Sequence, residues 1–447
     1  MSRITDMTRG NPARLMLRFA LPVVFTNLGQ QLYQIVDAAI VGRGVGVDAL
    51  AAVGCTDWTW WMILWSMSVM TAGFATFVSR FFGQRDFVRM NRSILTAAVL
   101  SGAIAVILTV AGLVLARPIL MLLGTPENIL ADAVTYLSTM VAGTLVMTAY
   151  NLTGAILRAF GDGRSPLIAM ILAAVMNILL DLLFVMAFGW GVFGAAFASV
   201  LSQLFAFVYC LARIRRIEVV RLRGEACRWQ WPLAREILFF GLPLAVQYII
   251  INFGGMIVQS TINLQGSSFI AGYTAINKLY GFLECTAIAL GSAFTTFASQ
   301  NFGAKNFARV RGGVKTAMVL AVAGALVIMA LVLPLNRILP QLFIDASEAG
   351  AGEALDVASR YLKVMVISLP ILYLVYVHRN NLQAIGNASW SMISGIAEAL
   401  VRVIMAKAIF LALGTSVLFF IEPFAWLTAW LFVLVPYYVY ERKILKP

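Results

Sequence analysis

The sequence predicts an all-α polytopic membrane protein: twelve transmembrane helices in two parallel six-helix lobes. Three observations predict it. First, 61% of the 447 residues are hydrophobic and only 12% are charged, against about 45–50% and about 25% in soluble domains. Second, the apolar stretches are long and continuous. Residues 96–116 (TAAVLSGAIAVILTVAGLVLA) and 316–335 are examples, each near the ~20 residues that cross a bilayer. Third, the two halves of the chain repeat. Lipid supplies no hydrogen bonds, so only helices or closed barrels satisfy the backbone. A barrel would show short alternating segments, and these are missing here.

Apolar runs read against turn signals place the spans near 14–42, 49–80, 92–116, 132–158, 165–189 and 191–213, then 234–263, 269–300, 314–335, 356–384, 390–412 and 417–440. The first six form an N-terminal lobe over 1–213. A basic linker covers 214–233, and the second lobe covers 234–447. The N-terminus is polar and basic, and the first apolar run is long enough to remain as a span, so no cleaved signal peptide is expected.

The net charge of +13 is sorted by side. Arg3, Arg9, Arg14 and Arg18 precede span one. Arg80, Arg85, Arg89 and Arg92 lie between spans two and three. Arg213, Arg215, Arg216, Arg221, Arg223 and Arg228 fill the linker. Lys305, Arg309, Arg311 and Lys315 follow span eight, and Arg442, Lys443 and Lys446 end the chain. All fall on one side of a twelve-span chain. The opposite loops hold only Arg43, Arg117, Arg337, Arg360 and Lys363. This positive-inside pattern puts both termini in the cytoplasm of a multi-pass protein of the plasma (inner) membrane, and it argues against nucleic acid as a partner. Cys55, Cys210, Cys227 and Cys285 are scattered. They read as small apolar side chains rather than a disulfide or zinc site.

FALP at 19–22 recurs as FGLP at 240–243, FVSRFFGQRDFVRM at 77–90 as FASQNFGAKNFARV at 297–310, and RAFGDG at 158–163 as QAIGNA at 383–388. The offsets are 221, 220 and 225 residues. Six spans per half is an even number, so both halves insert the same way up, as a parallel repeat. Paired lobes of this kind suggest alternating access around a central cavity. Pro22 and Pro243 break the corresponding first helices of the two lobes.

These segments resemble the MATE (multidrug and toxic compound extrusion) family in its MepA-like and DinF-like branches. The resemblance rests on Leu21-Pro22, VDAAIVGRGVGVDALAAVG at 36–54, FVSRFFGQRD at 77–86, LRAFGDGRSP at 157–166, MNILLDLLF at 176–184, GVFGAAFASVLSQ at 191–203 and HRNNLQAIGN at 378–387, and it covers nearly the whole chain. It implies a V-shaped pair of six-helix bundles. It also implies export of amphipathic, often cationic compounds in exchange for sodium ions or protons. Small-molecule substrates and membrane lipid are then the partners. No cofactor is expected beyond Na+ as a possible coupling ion, and the chain reads as a monomer.

Ionisable residues within spans are functional candidates by default. At ~1.5 Å per residue, Asp37 lies roughly 8 Å and Asp181 roughly 12 Å from the outer ends of their spans. Asn177 is one turn deeper on the face of Asp181, and Ser199 falls at comparable depth in span six. Hard oxygen ligands suit a hard cation, and two adjacent carboxylates resist joint ionisation, which favours a shared proton. The family resemblance implies the same cation site, Asp37, Asn177 and Asp181, with Ser199 where Thr is common. Either Na+ or a proton fits. The alternative is that both aspartates only join helices.

Four other positions stand out. Glu398 and Arg402, spaced i,i+4, read as a buried ion pair of structural role. Glu284 either contacts a cationic substrate or is satisfied by Asn277 or Lys278. His378, the only histidine, reads as packed rather than as a proton relay. Trp58, Trp60, Trp61 and Trp65 read as an outer aromatic belt, with Trp61 and Trp65 on one face as the alternative lining of a substrate cavity. Two other functions stay in view. A flippase or exporter of lipid-linked or organic-acid cargo on the same fold would want cations inside the cavity, and only Lys278, Arg402 and Lys407 lie well within spans. For an intramembrane enzyme, DDxxD, HExxH and Gly-x-Ser-x-Gly signatures are absent, and there is no P-loop. Energy must come from an ion gradient.

Overall fold

The computed structural model describes residues 4–344 and 350–444. Of the basic residues counted above, Arg3 and Lys446 lie outside the described residues, as do the side chains of Arg43, Arg442 and Lys443. Helices follow one another along the chain: α1 (Pro12–Gly44), α2 (Val47–Gln84), α3 (Phe87–Leu122), α4 (Glu127–Ala142), α5 (Thr144–Ala159), α6 (Arg164–Asp181) and α7 (Gly191–Arg215) in the first half. The second half holds α8 (Trp231–Ile262), α9 (Ser267–Gly303), α10 (Phe307–Val332), α11 (Ala351–Ala384), α12 (Ala388–Ile404), the short α13 (Phe410–Leu413) and α14 (Ile421–Ile444). Among the described residues nine helical segments are long and apolar enough to cross a membrane, and α4 with α5, bent by 46°, makes a tenth. The two predicted spans outside that set have local reasons. Asn27, Gln30, Gln31 and Gln34 make α1 polar, and α12 gives way to a π turn after 17 residues.

Two of the three repeated motifs prove to be helix punctuation; the other, FALP and FGLP, lies inside α1 and α8. Arg85 and Lys305 take left-handed backbone at φ 60° and 58°. The next residues, Asp86 and Asn306, cap α3 and α10 by accepting from the Arg89 and Arg309 amides at 2.9 and 3.4 Å. Such caps satisfy amides that a helix start leaves open. Gly161 and Gly386 also turn left-handed, at φ 74° and 101°, a conformation that favours glycine. Asp162 then accepts from the Arg164 and Ser165 amides, and Asn387 from that of Trp390.

The chain divides into two compact units. Among the described residues, unit 1 holds 4–6 and 21–245, and unit 2 holds 7–20, 246–344 and 350–444. The divisions therefore fall inside α1 and α8, beside Pro22 and Pro243, and not at the linker. In unit 1, Trp60, Tyr136, Met140, Met147 and Val185 form a buried core. The bend between α4 and α5 sits at Gly143, where a Cβ would strike Val200 of α7. In unit 2, α9 and α11 lie closest: the Tyr273 and Tyr361 rings stack at 4.1 Å. The most apolar windows of α3 and α10 are only 11% buried, against 61% for α2 and 56% for α9. Each half thus keeps its second helix inside its unit and leaves the apolar surface of its third uncovered.

Gly272 of α9 faces α11 so closely that a Cβ would press into the Ala354 carbonyl oxygen. Backbone cannot step aside as a flexible side chain can. Gly272→Ala is expected to destabilise the protein by about 1–3 kcal/mol, read as a lower unfolding temperature in detergent. Gly54→Ala, with open space around it, should leave that temperature unchanged or raise it.

Candidate functional site

The oxygen cluster of unit 1 is built where a regular helix stops. At Asp181 α6 passes into a π turn, Leu182–Ala187, whose wider winding is seen in the Phe188 amide donating to the Leu183 carbonyl. Such π bulges re-aim the side chains beside them. Asn177 and Asp181, one turn apart, are both 0% exposed, and Ser199 of α7 is 3% exposed. The Asn177 Nδ2 donates to Ser199 Oγ at 3.3 Å. Tyr33 of α1 brings its hydroxyl to 3.2 Å from the same oxygen. Asp37, half-buried on α1, has its carboxyl within hydrogen-bonding reach of that of Asp181.

Donors are scarce around this cluster. Both Asp181 oxygens, Asp37 Oδ1 and Asn177 Oδ1 are buried, and none receives an N–H or O–H from another described residue. Ionised carboxylates only accept. Two of them meet in a buried place only with a proton or a cation between them. Asp37, Asn177, Asp181 and Ser199 are therefore brought together, and Tyr33 joins them. Tyr136, a core residue of α4, lies in electrostatic range of Asp37 and Asp181. The sequence carries no signal that marks Tyr136 as part of this cluster. Nothing in it singled out Tyr33, although Tyr33 and Asp37 are spaced i,i+4.

Trp61 and Trp65 stand elsewhere on α2, both half-buried, while Trp58 is exposed and Trp60 belongs to the core. The four tryptophans therefore do not form one belt, because consecutive helix positions face different ways.

Unit 2 holds a different polar cluster. Glu398 meets Arg402 at 2.9 Å and also Arg379 of α11 at 2.6 Å. Arg402 in turn meets Glu422 of α14 at 2.6 Å. The expected ion pair is thus the middle of a four-residue chain joining α11, α12 and α14. Ser394 adds a hydroxyl to the Arg379 guanidinium. Glu284 is satisfied by neither Asn277 nor Lys278, which lie about two turns away and are exposed. The Tyr376 hydroxyl of α11 donates to it at 2.8 Å instead. His378 is fully buried against the Trp430 and Tyr437 rings. Its Nδ1 lies 2.9 Å from the Leu374 carbonyl oxygen. Among the described residues no group of three or more His, Cys, Asp or Glu side chains is placed to hold a metal.

Comparison with known proteins now adds to this geometry. The MatE family model matches the chain twice, over residues 22–183 and 243–408. The two matches begin at Pro22 and Pro243, the repeated prolines. A probable multidrug resistance protein, YpnP of Bacillus subtilis, is 30% identical over 305 residues, covering 68% of each chain. The multidrug export protein MepA of Staphylococcus aureus is 22% identical over 390 residues, covering 87% of this chain and 85% of its own. A MOP superfamily transporter from Pyrococcus furiosus, described by the reverse polarity of its binding pocket and a different function, superposes with a TM-score of 0.92. That match covers all of both chains at 20% identity, a likeness that establishes the fold. The doubled family match, the multidrug relatives and the helical fold make this chain a multi-pass membrane transporter, not an enzyme, and a member of the MATE family.

Proposed function

We propose that the protein is an antiporter that exports amphipathic, often cationic compounds, driven by an inward gradient of protons or sodium ions. It works by alternating access in the plasma membrane, with both termini cytoplasmic. The observation that carries this reading is the carboxyl pair Asp37 and Asp181, whose buried oxygens lack protein donors. A proton supplies the missing donor. A sodium ion satisfies the same oxygens, together with Asn177 Oδ1 and the Ser199 hydroxyl. In either case the pair is stable when loaded and unstable when bare, and that difference lets an ion gradient bias the state of unit 1. The multidrug names of YpnP and MepA support the cargo class.

An anionic cargo, lipid-linked or an organic acid, would need unpaired cations within the spans. Arg379 and Arg402 are held by Glu398 and Glu422, so of Lys278, Arg402 and Lys407 only the two lysines lack a carboxylate partner among the described residues, fewer cations than a polyanionic cargo would need. Purified protein in liposomes, given an amphipathic cationic dye such as ethidium, tests the reading. Dye movement should start when a proton or a sodium gradient is imposed and stop when that gradient is collapsed. Transport indifferent to both gradients would overturn it.

A further inference from the structure

Residues 213–235, from the last turn of α7 through the first turns of α8, contain seven arginines, against Glu218 and Glu225. Charges that serve only to orient a chain in the membrane need no fixed structure. These have one. Asn91 of α3 donates to the Val219 carbonyl at 2.9 Å and accepts from the Arg221 amide at 2.9 Å. The buried Arg92 donates to the Glu225 carbonyl at 2.7 Å. Ile217 and Leu233 are buried anchors. With its backbone clamped in this way, the segment turns Arg215, Arg216, Arg221, Arg223 and Arg228 outward. None of these five has a carboxylate partner among the described residues.

Large aromatic rings are exposed beside them. Trp231 is 75% exposed and Phe239 62% exposed. Trp229 packs edge-on against Trp231 at 5.5 Å. The Arg235 guanidinium lies 5.5 Å from the centre of the Phe239 ring. Trp231, Pro232, Arg235, Glu236 and Phe239 line a shallow open groove. Tryptophan beside arginine at the end of a span is the chemistry of the headgroup layer: the ring sits among glycerol and carbonyl groups while the guanidinium reaches phosphate.

We propose that the clamped 215–235 segment is a binding surface for anionic phospholipid headgroups. Arg221, Arg223 and Arg228 meet the phosphates, and Trp229 and Trp231 set the depth. The surface lies wholly within unit 1 and is independent of the coupling ion and the cargo. Guanidinium charge supplies the preference for acidic lipid. Fixing the backbone in advance removes the ordering penalty that a loose basic tail would carry.

Native mass spectrometry of the full chain in detergent tests this, with phosphatidylglycerol and phosphatidylcholine added in turn. The wild type should retain phosphatidylglycerol in preference. In R221Q/R223Q/R228Q the affinity for phosphatidylglycerol should fall about a hundredfold, three charges acting near an anionic surface, while R221K/R223K/R228K keeps most of it. The side chains replaced are exposed, and an unchanged unfolding temperature of the glutamine variant confirms that it is folded. Equal retention of the two lipids by the wild type, or wild-type retention by the glutamine variant, overturns the proposal. So does release of phosphatidylglycerol by inorganic phosphate at matched concentration, which marks a site for small anions instead.

Discussion

Asp181→Asn is expected to abolish gradient-driven efflux while leaving a folded, membrane-inserted protein. The amide has the shape of the carboxyl and carries its own N–H donors, so it can satisfy Asp37 with no proton or ion between them. The pair is then permanently in its loaded form. A ligand that drives a two-state equilibrium most of the way across must bind one state several kcal/mol better than the other. Losing that difference should lower coupled transport by about a hundredfold or more. Asp37→Asn should act in the same direction. The double variant should be little worse than either single one, because the two residues act as one unit. Stability should stay level or rise, since a buried acceptor pair without donors is replaced by a satisfied one. The measurements are dye efflux from liposomes under each imposed gradient and thermal unfolding of the same preparations. Wild-type efflux in Asp181→Asn would remove this cluster from the mechanism.

Arg402→Ala should give the largest loss of stability. Arg402 touches both Glu398 and Glu422 and also reaches the Ile251 carbonyl. Its removal strands Glu422 and leaves Glu398 with Arg379 alone. Breaking a buried ion pair by deleting one partner typically costs about 3–5 kcal/mol, because the remaining charge stays desolvated. The expected result is a much lower unfolding temperature and poor recovery from the membrane. Glu398→Gln keeps an oxygen acceptor for one guanidinium but turns an NH2 toward the other; it should be milder because Arg402 retains Glu422. An Arg402→Ala protein that unfolds at the wild-type temperature would show that the chain of charges contributes nothing to unit 2.

Much of this was legible in the residues, for identifiable reasons. The spans stand out because lipid demands long apolar runs. The repeat stands out because two of its three motifs are turns and caps, where few residue types serve: Gly at 161 and 386, and Asp or Asn at 86, 162, 306 and 387; the other keeps its proline inside a helix. Asp37, Asn177, Asp181 and Ser199 could be placed at one depth by counting helical rise alone. Partners supplied from distant parts of the chain were not legible. Tyr376 reaches Glu284 across 92 positions, and Glu422 reaches Arg402 across 20, and no periodicity encodes such meetings. The π turns at 182–187 and 405–409 were equally hidden, since their sequences are as apolar and helix-compatible as their surroundings. The division of α1 and α8 between the two compact units is a packing outcome that a boundary drawn at the basic linker does not reveal.

The 225-residue offset that pairs RAFGDG with QAIGNA also pairs Asn177 with Arg402 and Asp181 with Ala406, and a π turn lies at both places, starting at Leu182 and at Met405. The two copies therefore share a local architecture but have divided the labour. In the first copy, buried carboxyl oxygens lack a donor, and in the proposed cycle a proton or sodium ion from the medium supplies it. In the second, the charge arrives on the polypeptide itself, a guanidinium between two glutamates that no gradient can remove. Duplication here has left the second half with its counter-ion made permanent. In the proposed antiport cycle the loading site belongs to the first copy, however symmetrical the helices look.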